Sequence, residues 1–257
     1  MDTIKLFNDD CFNVLKTLPD KSVDLFLLDL PYATLKFGAT TSCEWDLPID
    51  LEEMWKEIKR IMKKTGICIH FCDTKFGYCL IDTNPKMFKY NLTWKKSKAV
   101  GFFNCNKKPL NNLEYIYIFK NNNLKKGEHC TYNPQKTTGH KPYKRKGRVE
   151  GAGVYIKKNT EYGRTACDNK GDRHPTTLLE FNGAKKPIHN TQKPVELIEW
   201  LIKSYSNEDD LVVDFTMGSG TTGIGCINTK RKFIGVEKDE EIFKICKERI
   251  DKQFNKE

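Results

Sequence analysis

The sequence predicts an α/β protein with a doubly wound, mostly parallel sheet and one irregular insertion. Short apolar runs of strand length alternate with segments whose apolar residues recur at helical spacing, which is typical of strands joined by crossover helices. Two apolar runs end in polar or glycine-rich strings, at residues 29–32 and 214–220. Residues 121–187 of the 257-residue chain show neither apolar runs of strand length nor apolar residues at helical spacing. We therefore expect one catalytic core, residues 1–120 and 188–257, interrupted by residues 121–187.

The first half of the chain alternates between strands and helices. Apolar runs predict strands at residues 4–7, 22–29, 66–71, 88–94 and 113–119. Helical spacing predicts a helix over 10–18 that ends at Pro19, and another that begins at Asp50 and ends before Gly66. Glu114 is expected to be a charge on an edge strand that discourages aggregation.

The last 64 residues contain the second run of alternating elements. Pro194 opens a helix, and it is followed by a strand over 211–215, a helix over 221–228, a strand over 232–237 and a terminal helix over 240–254. Only about 20 residues follow Glu237, too few to complete a nucleotide-binding sheet. The strands before residue 72 must complete it, so the end of the chain is expected to lie beside its beginning.

The positive charge is concentrated in the insertion. Of the 44 Lys and Arg residues, 16 lie between residues 121 and 193, against 6 of the 34 Asp and Glu residues, and the rest of the chain is neutral with 28 of each. Such a segment is typical of polyanion binding, although a solvated surface loop would also fit. Tyrosines interleaved with the cations offer stacking surfaces. The candidate residues are Lys141, Lys144, Arg145, Lys146, Arg148, Lys157, Lys158 and Arg164.

The composition also argues against several classes of protein. No stretch approaches the roughly 20 apolar residues that span a bilayer, and the first residues lack the layout of a secretory signal. The cysteines are scattered without the paired spacing of a zinc site. We expect an intracellular, cytoplasmic protein, or one acting in a host cell if it is viral, with reduced thiols, no metal and no membrane contact.

The glycine string Gly218-Ser219-Gly220-Thr221-Thr222-Gly223 lies between a predicted strand and a predicted helix, and Glu237 ends the next strand. Such a string places backbone amides against a nucleotide, with the acidic residue on the ribose. A dinucleotide and S-adenosylmethionine both fit, and so does a tight turn with no ligand.

The string Asp29-Leu30-Pro31-Tyr32 follows a buried strand, at the sheet edge where open α/β folds place their sites. A strand that ends in a capping Asp, a proline turn and a packed Tyr, with no catalytic role, would have the same sequence. Taken together, however, the two strings resemble the catalytic and cofactor motifs of the DNA amino-methyltransferases, in the group whose catalytic motif comes first.

The resemblance extends along nearly the whole core. Residues 190–194 resemble the family segment at the methionine end of S-adenosylmethionine, and residues 8–11 resemble the segment on the adenine side. Leu30 replaces a proline of the family's catalytic motif, and Phe215 and Thr216 depart from its usual Asp-Pro-Phe. The cofactor-binding residues that it implies are Asp10, Asp29, Thr191, Gln192, Lys193, Asp214, Phe215, Gly218, Ser219, Gly220, Thr221, Thr222 and Glu237.

The resemblance implies a Rossmann-like methyltransferase that transfers a methyl group from S-adenosylmethionine to an exocyclic amino group of double-stranded DNA. Asp29 and the carbonyl of Leu30 or Pro31 would draw that amino group toward tetrahedral geometry, and Tyr32 would stack on a base turned out of the duplex. The basic insertion would recognise the target. A homodimer and a cognate restriction endonuclease are further candidate partners.

The target base is expected to be adenine, modified at N6, because the family's cytosine-N4 members more often carry Ser in place of Asp29. Cytosine N4 is the leading alternative. A dinucleotide-dependent oxidoreductase would account for the glycine string alone, and a DNA-binding protein without catalysis would account for the departures at Leu30, Phe215 and Thr216.

Overall fold

The computed structural model describes residues 3–32, 49–121, 124–145, 167–184 and 192–255. The helices are α1 (Cys11–Thr17), α2 (Leu51–Ile61), α3 (Thr74–Thr83), α4 (Val195–Tyr205), α5 (Thr221–Asn228) and α6 (Glu240–Phe254). The strands are β1 (Ile4–Asn8), β2 (Val23–Leu28), β3 (Met62–Cys72), β4 (Phe88–Val100), β5 (Asn111–Lys120), β6 (Tyr143–Arg145), β7 (Cys167–Asn169), β8 (Leu178–Phe181), β9 (Leu211–Asp214) and β10 (Lys232–Glu237).

Eight strands form one sheet in the order β1-β10-β9-β2-β3-β5-β4-β8. All neighbouring pairs are parallel except those on either side of β5, which runs against both β3 and β4. The predicted mostly parallel α/β sheet is confirmed. β10 pairs with β1, so the last strand of the chain lies beside the first, as predicted. Among the described residues no helix is long and apolar enough to span a bilayer.

Helices cover both faces of the sheet. Successive residues of β2 point to opposite faces, with Leu25 and Leu27 in the core beneath α4, α5 and α6, and Phe26 and Leu28 in the core beneath α1, α2 and α3. Both faces of β2 are therefore buried, which explains why the strand reads as a continuous apolar run instead of an alternating one.

The structure differs from the prediction at three elements. β3 begins at Met62, earlier than expected, and α3 was not predicted. α3 is short and is capped by Asp73, whose side chain accepts a hydrogen bond from the backbone amide of Phe76. Gly77 interrupts its apolar pattern because a Cβ there would lie 2.7 Å from the ring of Tyr117.

The third difference lies in the stretch expected to be irregular. β8 pairs with β4 in the main sheet, although it falls within residues 121–187. The described chain divides into one compact unit of residues 1–133 and 177–257 and a second of residues 134–176. Inside the second unit β6 pairs with β7, and the guanidinium of Arg173 lies 5.0 Å from the centre of the Tyr143 ring. The segment that is separate from the core is thus shorter than predicted.

Candidate active site

The site lies along the edge of the sheet at which the parallel strands end. β1, β2, β3, β9 and β10 finish there, and β5 begins there because it runs in the opposite direction. Open α/β sheets bind ligands at this edge. Both predicted strings and the amino end of β5 therefore meet along one line.

The glycine loop after β9 has the backbone that its sequence predicted. Gly218 and Gly220 have φ values of +51° and +76°, in the left-handed region that favours glycine. A Cβ on Gly220 would lie 2.5 Å from Sγ of Cys246, whereas no described atom lies within 4 Å of the corresponding position on Gly218. Gly220 is therefore required by packing, and the surface of Gly218 is open to a ligand.

Two carboxylates hold this loop. Oε2 of Glu237 accepts a hydrogen bond of 3.0 Å from the amide of Gly218, and Oδ2 of Asp214 accepts one of 2.6 Å from Thr222. Burial raises the pKa of Asp214 to about 7, against the opposing hydrogen bonds from Thr222 and Thr216. Burial also raises the pKa of Glu237.

Arg249 of α6 also contacts the glycine loop, which the sequence did not predict. Its Nη1 donates 2.7 Å to the carbonyl of Ser219 and 3.1 Å to Oγ1 of Thr221. Burial lowers the pKa of this guanidinium. An arginine two-thirds of the way along an ordinary amphipathic helix gives no local signal of such a contact.

Asp10 lies at the other end of the cofactor region, beside the end of β10. Its Oδ1 caps α1 by accepting from the amide of Phe12, and its Oδ2 lies 3.1 Å from Nζ of Lys238. Asn8 donates to the carbonyls of Glu237 and Lys238 at 2.9 and 3.2 Å. The two acidic residues predicted for the adenine and ribose sides therefore stand on neighbouring strand ends.

Asp29, at the end of β2, is part of a charged cluster. Its Oδ2 pairs with Nζ of Lys193, which precedes α4, and its Oδ1 lies 3.2 Å from the hydroxyl of Tyr32. Thr216 donates 3.4 Å to the backbone carbonyl of Asp29. The cluster joins the two predicted strings and the 190–194 segment at one point.

Glu114, the first buried side chain of β5, completes this cluster. Its Oε1 lies 3.2 Å from Nζ of Lys193 and 3.1 Å from the hydroxyl of Tyr32, and its Oε2 lies 2.6 Å from Nζ of Lys96. The expectation of an edge-strand charge was wrong, because β5 lies between β3 and β4 in the interior of the sheet. A charge before an apolar strand was the signal in the sequence, but its partners come from three distant segments.

The charged side chains of this cluster shift one another's pKa values. Burial raises the pKa of Asp29, Lys193 opposes that shift, and Glu114 adds to it. Burial opposes ionisation of Glu114 too, but Lys193 and Lys96 outweigh it and the pKa falls below its ordinary value. Burial disfavours charged Lys193, yet its two carboxylate partners raise its pKa. Lys193 therefore offsets part of the rise in the pKa of Asp29, and Lys193 and Glu114 favour each other's charged forms.

The remaining residues of the two strings are less accessible to a ligand than expected. The ring of Tyr32 stacks on Phe76 of α3 with centroids 5.4 Å apart, and its pKa is raised well above the ordinary value by burial. Leu30 is buried, and Phe215 is buried against Phe26 with centroids 6.3 Å apart. The side chain of Phe215 is a core residue, so only its backbone lies at the loop.

The candidate DNA-binding residues are only partly described. Lys141, Lys144 and Arg145 are exposed in the second unit, where Nζ of Lys144 lies 3.6 Å from Asp168. The other predicted residues of this set, and Thr191 of the cofactor set, lie outside the described residues: Lys146, Arg148, Lys157, Lys158, Arg164 and Thr191. The described side chains include no group of three His, Cys, Asp or Glu that could hold a metal.

Known proteins resemble this chain over nearly its whole length. Type II methyltransferase M.HpaI of Haemophilus parainfluenzae is 27% identical over 98% of this chain and 75% of its own length. DNA adenine methyltransferase YhdJ of Escherichia coli is also 27% identical, over 96% of this chain and 82% of its own.

Solved structures share the fold. The M1.HpyAVI–SAM complex superimposes with a TM-score of 0.60 at 24% identity, covering 96% of this chain and 99% of that one. The cytosine-N4-specific PvuII DNA methyltransferase superimposes with a TM-score of 0.64 at 16% identity, covering 99% and 92%. The sequence model of the DNA methylase family N6_N4_Mtase matches residues 23–248, which is most of the chain. The chain therefore belongs to the DNA methylase family, as the two strings predicted.

Proposed function

We propose that the protein transfers a methyl group from S-adenosylmethionine to N6 of adenine in double-stranded DNA. The observation that carries the proposal is the placement of Asp29, a carboxyl group at the sheet edge beside the glycine loop, with Lys193 on one oxygen and Tyr32 on the other. Such a carboxylate is suited to hold an amino group as it develops positive charge.

The glycine loop fits the cofactor. The open surface at Gly218 lets a ligand approach the backbone, and Glu237 and Asp10 offer carboxylates from neighbouring strand ends to the nucleoside part. S-adenosylmethionine, when bound, supplies an electrophilic methyl group on sulfur. The predicted contacts of Gln192 and Thr191 with its methionine end stay predictions.

Asp29 does its work through hydrogen bonding. The lone pair of an exocyclic amino group is delocalised into the base, so the group is a poor nucleophile until acceptors draw its hydrogens out of the ring plane. Asp29 and the carbonyl of Leu30 or Pro31 would be those acceptors. Lys193 opposes the rise in the pKa of Asp29 that burial causes and so favours the ionised carboxylate, which is the stronger acceptor.

Tyr32 has two roles in this mechanism, one for its hydroxyl group and one for its ring. Its single hydroxyl proton can satisfy either Asp29 or Glu114, at 3.2 and 3.1 Å, but only one at a time. One face of its ring packs on Phe76, so base stacking would use the opposite face. We infer that Tyr32 both supports a flipped base and orients the carboxylate that the base meets.

Adenine is favoured over cytosine by the Asp of the catalytic string and by the name of the relative YhdJ, a DNA adenine methyltransferase. The structural neighbour specific for cytosine N4 favours the alternative. The test is to express the chain in cells that lack DNA methylation, digest the DNA to nucleosides and separate them by mass spectrometry. N6-methyladenine is expected. N4-methylcytosine would overturn the base assignment while leaving the enzyme class intact.

We further propose that the basic segment, residues 121–187, grips DNA and selects its sequence. Its support is the charge excess together with the exposure of Lys144 and Arg145. Replacing Lys144, Arg145, Lys146 and Arg148 with Gln should lower the salt dependence of DNA affinity by roughly 3 to 4 in logarithmic slope, about 0.9 per lost phosphate contact. Equal slopes would make the segment a solvated surface. A homodimer and a cognate restriction endonuclease stay predictions.

A further inference from the structure

The hairpin formed by β4 and β5 leads away from the active site. Trp94 lies opposite Glu114, so the base of the hairpin carries a member of the charged cluster, and Lys96 of β4 contacts Glu114 directly. Beyond this pair the strands continue to Val100 opposite Asn111. At about 3.3 Å per residue, the six steps from Trp94 to Val100 carry the chain roughly 20 Å.

Two adjacent phenylalanines occupy the end of this hairpin. Phe102 is 76% exposed and Phe103 is fully exposed. They lie in an ordered turn, because Gly101 adopts φ +94° and its carbonyl accepts a hydrogen bond of 2.9 Å from the amide of Asn104. The same surface continues onto the exposed residues Val100, Leu110 and Leu113. Adjacent apolar side chains presented in this way usually mark a contact surface.

The charge around the phenylalanines identifies the partner. Residues 95–113 contain five lysines and no acidic residue. Two of them, Lys95 and Lys96, pair with Glu180 and Glu114 at the base of the hairpin. The other three lie near the tip: Lys98, Lys107 and Lys108. A second copy of this chain would bring the same charges against themselves, whereas a polyanion is complementary to them.

We propose that Phe102 and Phe103 enter the DNA duplex as an apolar wedge beside the target base, while Lys98, Lys107 and Lys108 contact the flanking phosphates. An enzyme that works on a base must first turn it out of the stack, which leaves unstacked neighbours. Apolar side chains inserted between base steps compensate for that loss. The wedge rests on DNA as the substrate and is independent of which base is methylated.

The first experiment separates insertion from simple binding. Phe102 and Phe103 are both replaced with Ala, and methyl incorporation is measured on a duplex that contains the mapped recognition site. Because unstacking costs a few kcal/mol and 1.4 kcal/mol is tenfold, we expect kcat/KM to fall about 10- to 100-fold. The same variant on a duplex with an abasic site opposite the target base should lose about 3-fold or less, since that base flips easily.

Matched controls fix the interpretation. Ile245 and Phe254 of α6 are 46% and 39% exposed, and replacing both with Ala should change neither rate. Replacing Phe102 and Phe103 with Leu should preserve most of the rate on the paired duplex, because Leu is also a wedge residue. Cofactor binding and the melting temperature of all three variants should match the parent protein, which excludes misfolding as the cause.

Salt dependence tests the lysines independently. Replacing Lys98, Lys107 and Lys108 with Gln should lower the logarithmic salt slope of DNA affinity by roughly 2 to 3, about 0.9 for each phosphate contact. The Phe102 and Phe103 alanine variant should keep the parent slope, because no charge is lost.

Cys105 gives a direct test of position. Among the described cysteines it is the exposed one. DNA that carries a disulfide-activated thiol tether next to the target base should cross-link to the parent protein but not to Cys105→Ser. Failure to cross-link, or equal losses on the paired and abasic duplexes, would overturn the wedge. So would a change from dimer to monomer in sedimentation of the alanine variant, since that would assign the surface to a second copy of the chain. A cytosine product in the nucleoside digest would change the proposed base and leave these outcomes untouched.

Discussion

The two halves of the sheet edge are built by different means. On the side of β9, β10 and β1 the site consists of backbone: a glycine loop, the amides that face a ligand, and the Gly218 amide held by Glu237. On the side of β2, β3 and β5 it consists of charged side chains in mutual contact: Lys193 and Glu114, which are buried, and Asp29, which is 31% exposed. The glycine loop and Glu237 lie within about 25 consecutive residues, and the second half is gathered from four separate segments of the chain.

This difference has a physical cause. A cofactor that is the same in every turnover can be recognised by backbone groups whose positions follow from local φ and ψ angles. In the proposed mechanism the reacting amino group needs an ionised carboxylate, and the pKa of that carboxyl group is set by the charges and hydrogen bonds around it. Substitutions in the first half should therefore act through backbone conformation, and substitutions in the second half through the charge of Asp29.

The largest effect is expected at Asp29. Asp29→Ala should lower kcat by about 10³-fold or more, since preorganised acceptors of developing charge are commonly worth that much. The dissociation constant of S-adenosylmethionine, measured by calorimetry, should change little because the interaction belongs to the transition state. Near-normal turnover would remove Asp29 from the mechanism. Large loss of cofactor affinity would mean that the two halves are not separate.

The two charged neighbours of Asp29 should shift the pH profile in opposite directions. Methyl transfer needs ionised Asp29, so the rate rises with pH through the pKa of that carboxyl. Lys193 lowers this pKa and Glu114 raises it. Lys193→Met should therefore move the acid limb of kcat to higher pH, and Glu114→Gln should move it to lower pH. Both should also lose about 10- to 100-fold in maximal rate, because each leaves a buried partner imperfectly paired.

Glu180→Gln is the matched control for Glu114. Glu180 also pairs with a lysine of β4, but its side chain is 63% exposed. Exposed ion pairs contribute about 0 to 1 kcal/mol, so this variant should keep the parent rate and the parent pH profile. Parallel shifts of the acid limb in the Lys193 and Glu114 variants would show that neither residue acts through the charge of Asp29.

The glycine half should respond through the backbone. Gly220→Ala should destabilise the fold by about 2 to 4 kcal/mol, because it combines a positive φ with a 2.5 Å clash against Cys246. Gly218→Ala meets no described atom and should lose only about 1 kcal/mol of stability, yet weaken cofactor binding. Urea unfolding and calorimetry on both variants measure the two quantities. Equal stability losses would contradict the packing argument for Gly220.

A separate effect is expected in the pH dependence of stability. Asp214 has a pKa of about 7 in the folded protein against an ordinary value of 3.8. Between these values the folded state keeps a proton that the unfolded state releases, so the free energy of unfolding falls as pH rises from about 4 to 7. Asp214→Asn should flatten that fall by up to about 4 kcal/mol. Replacing the exposed Asp82 with Asn should leave the curve unchanged.

Much of this molecule was predictable because its signals are local. Both faces of β2 are buried, and this makes an apolar run that identifies the strand and places Asp29 at its end. The positive φ of Gly220 and its packing against α6 need a residue without a side chain, and the sequence shows that glycine directly. The four elements after α4 were predicted within a residue or two, because their apolar patterns are local as well.

Other features were decided only by tertiary structure. Glu114 looked like an edge charge because nothing in residues 111–120 reveals that β5 inserts, antiparallel, between β3 and β4. Phe215 looked like a ligand residue because it follows Asp214, but strand geometry turns its side chain into the core. β8 was hidden because four residues give too little period to distinguish a strand from a loop.

The sequence by itself determined most elements of the core, the glycine loop and the carboxyl group at the end of β2, because each is specified by residues adjacent in the chain. Tertiary structure decided the electrostatic surroundings of that carboxyl group and the partners of Lys193, because contacts between residues 29, 96, 114 and 193 exist only once the sheet has formed. Backbone conformation is a local property, and the electrostatics of a buried site are not.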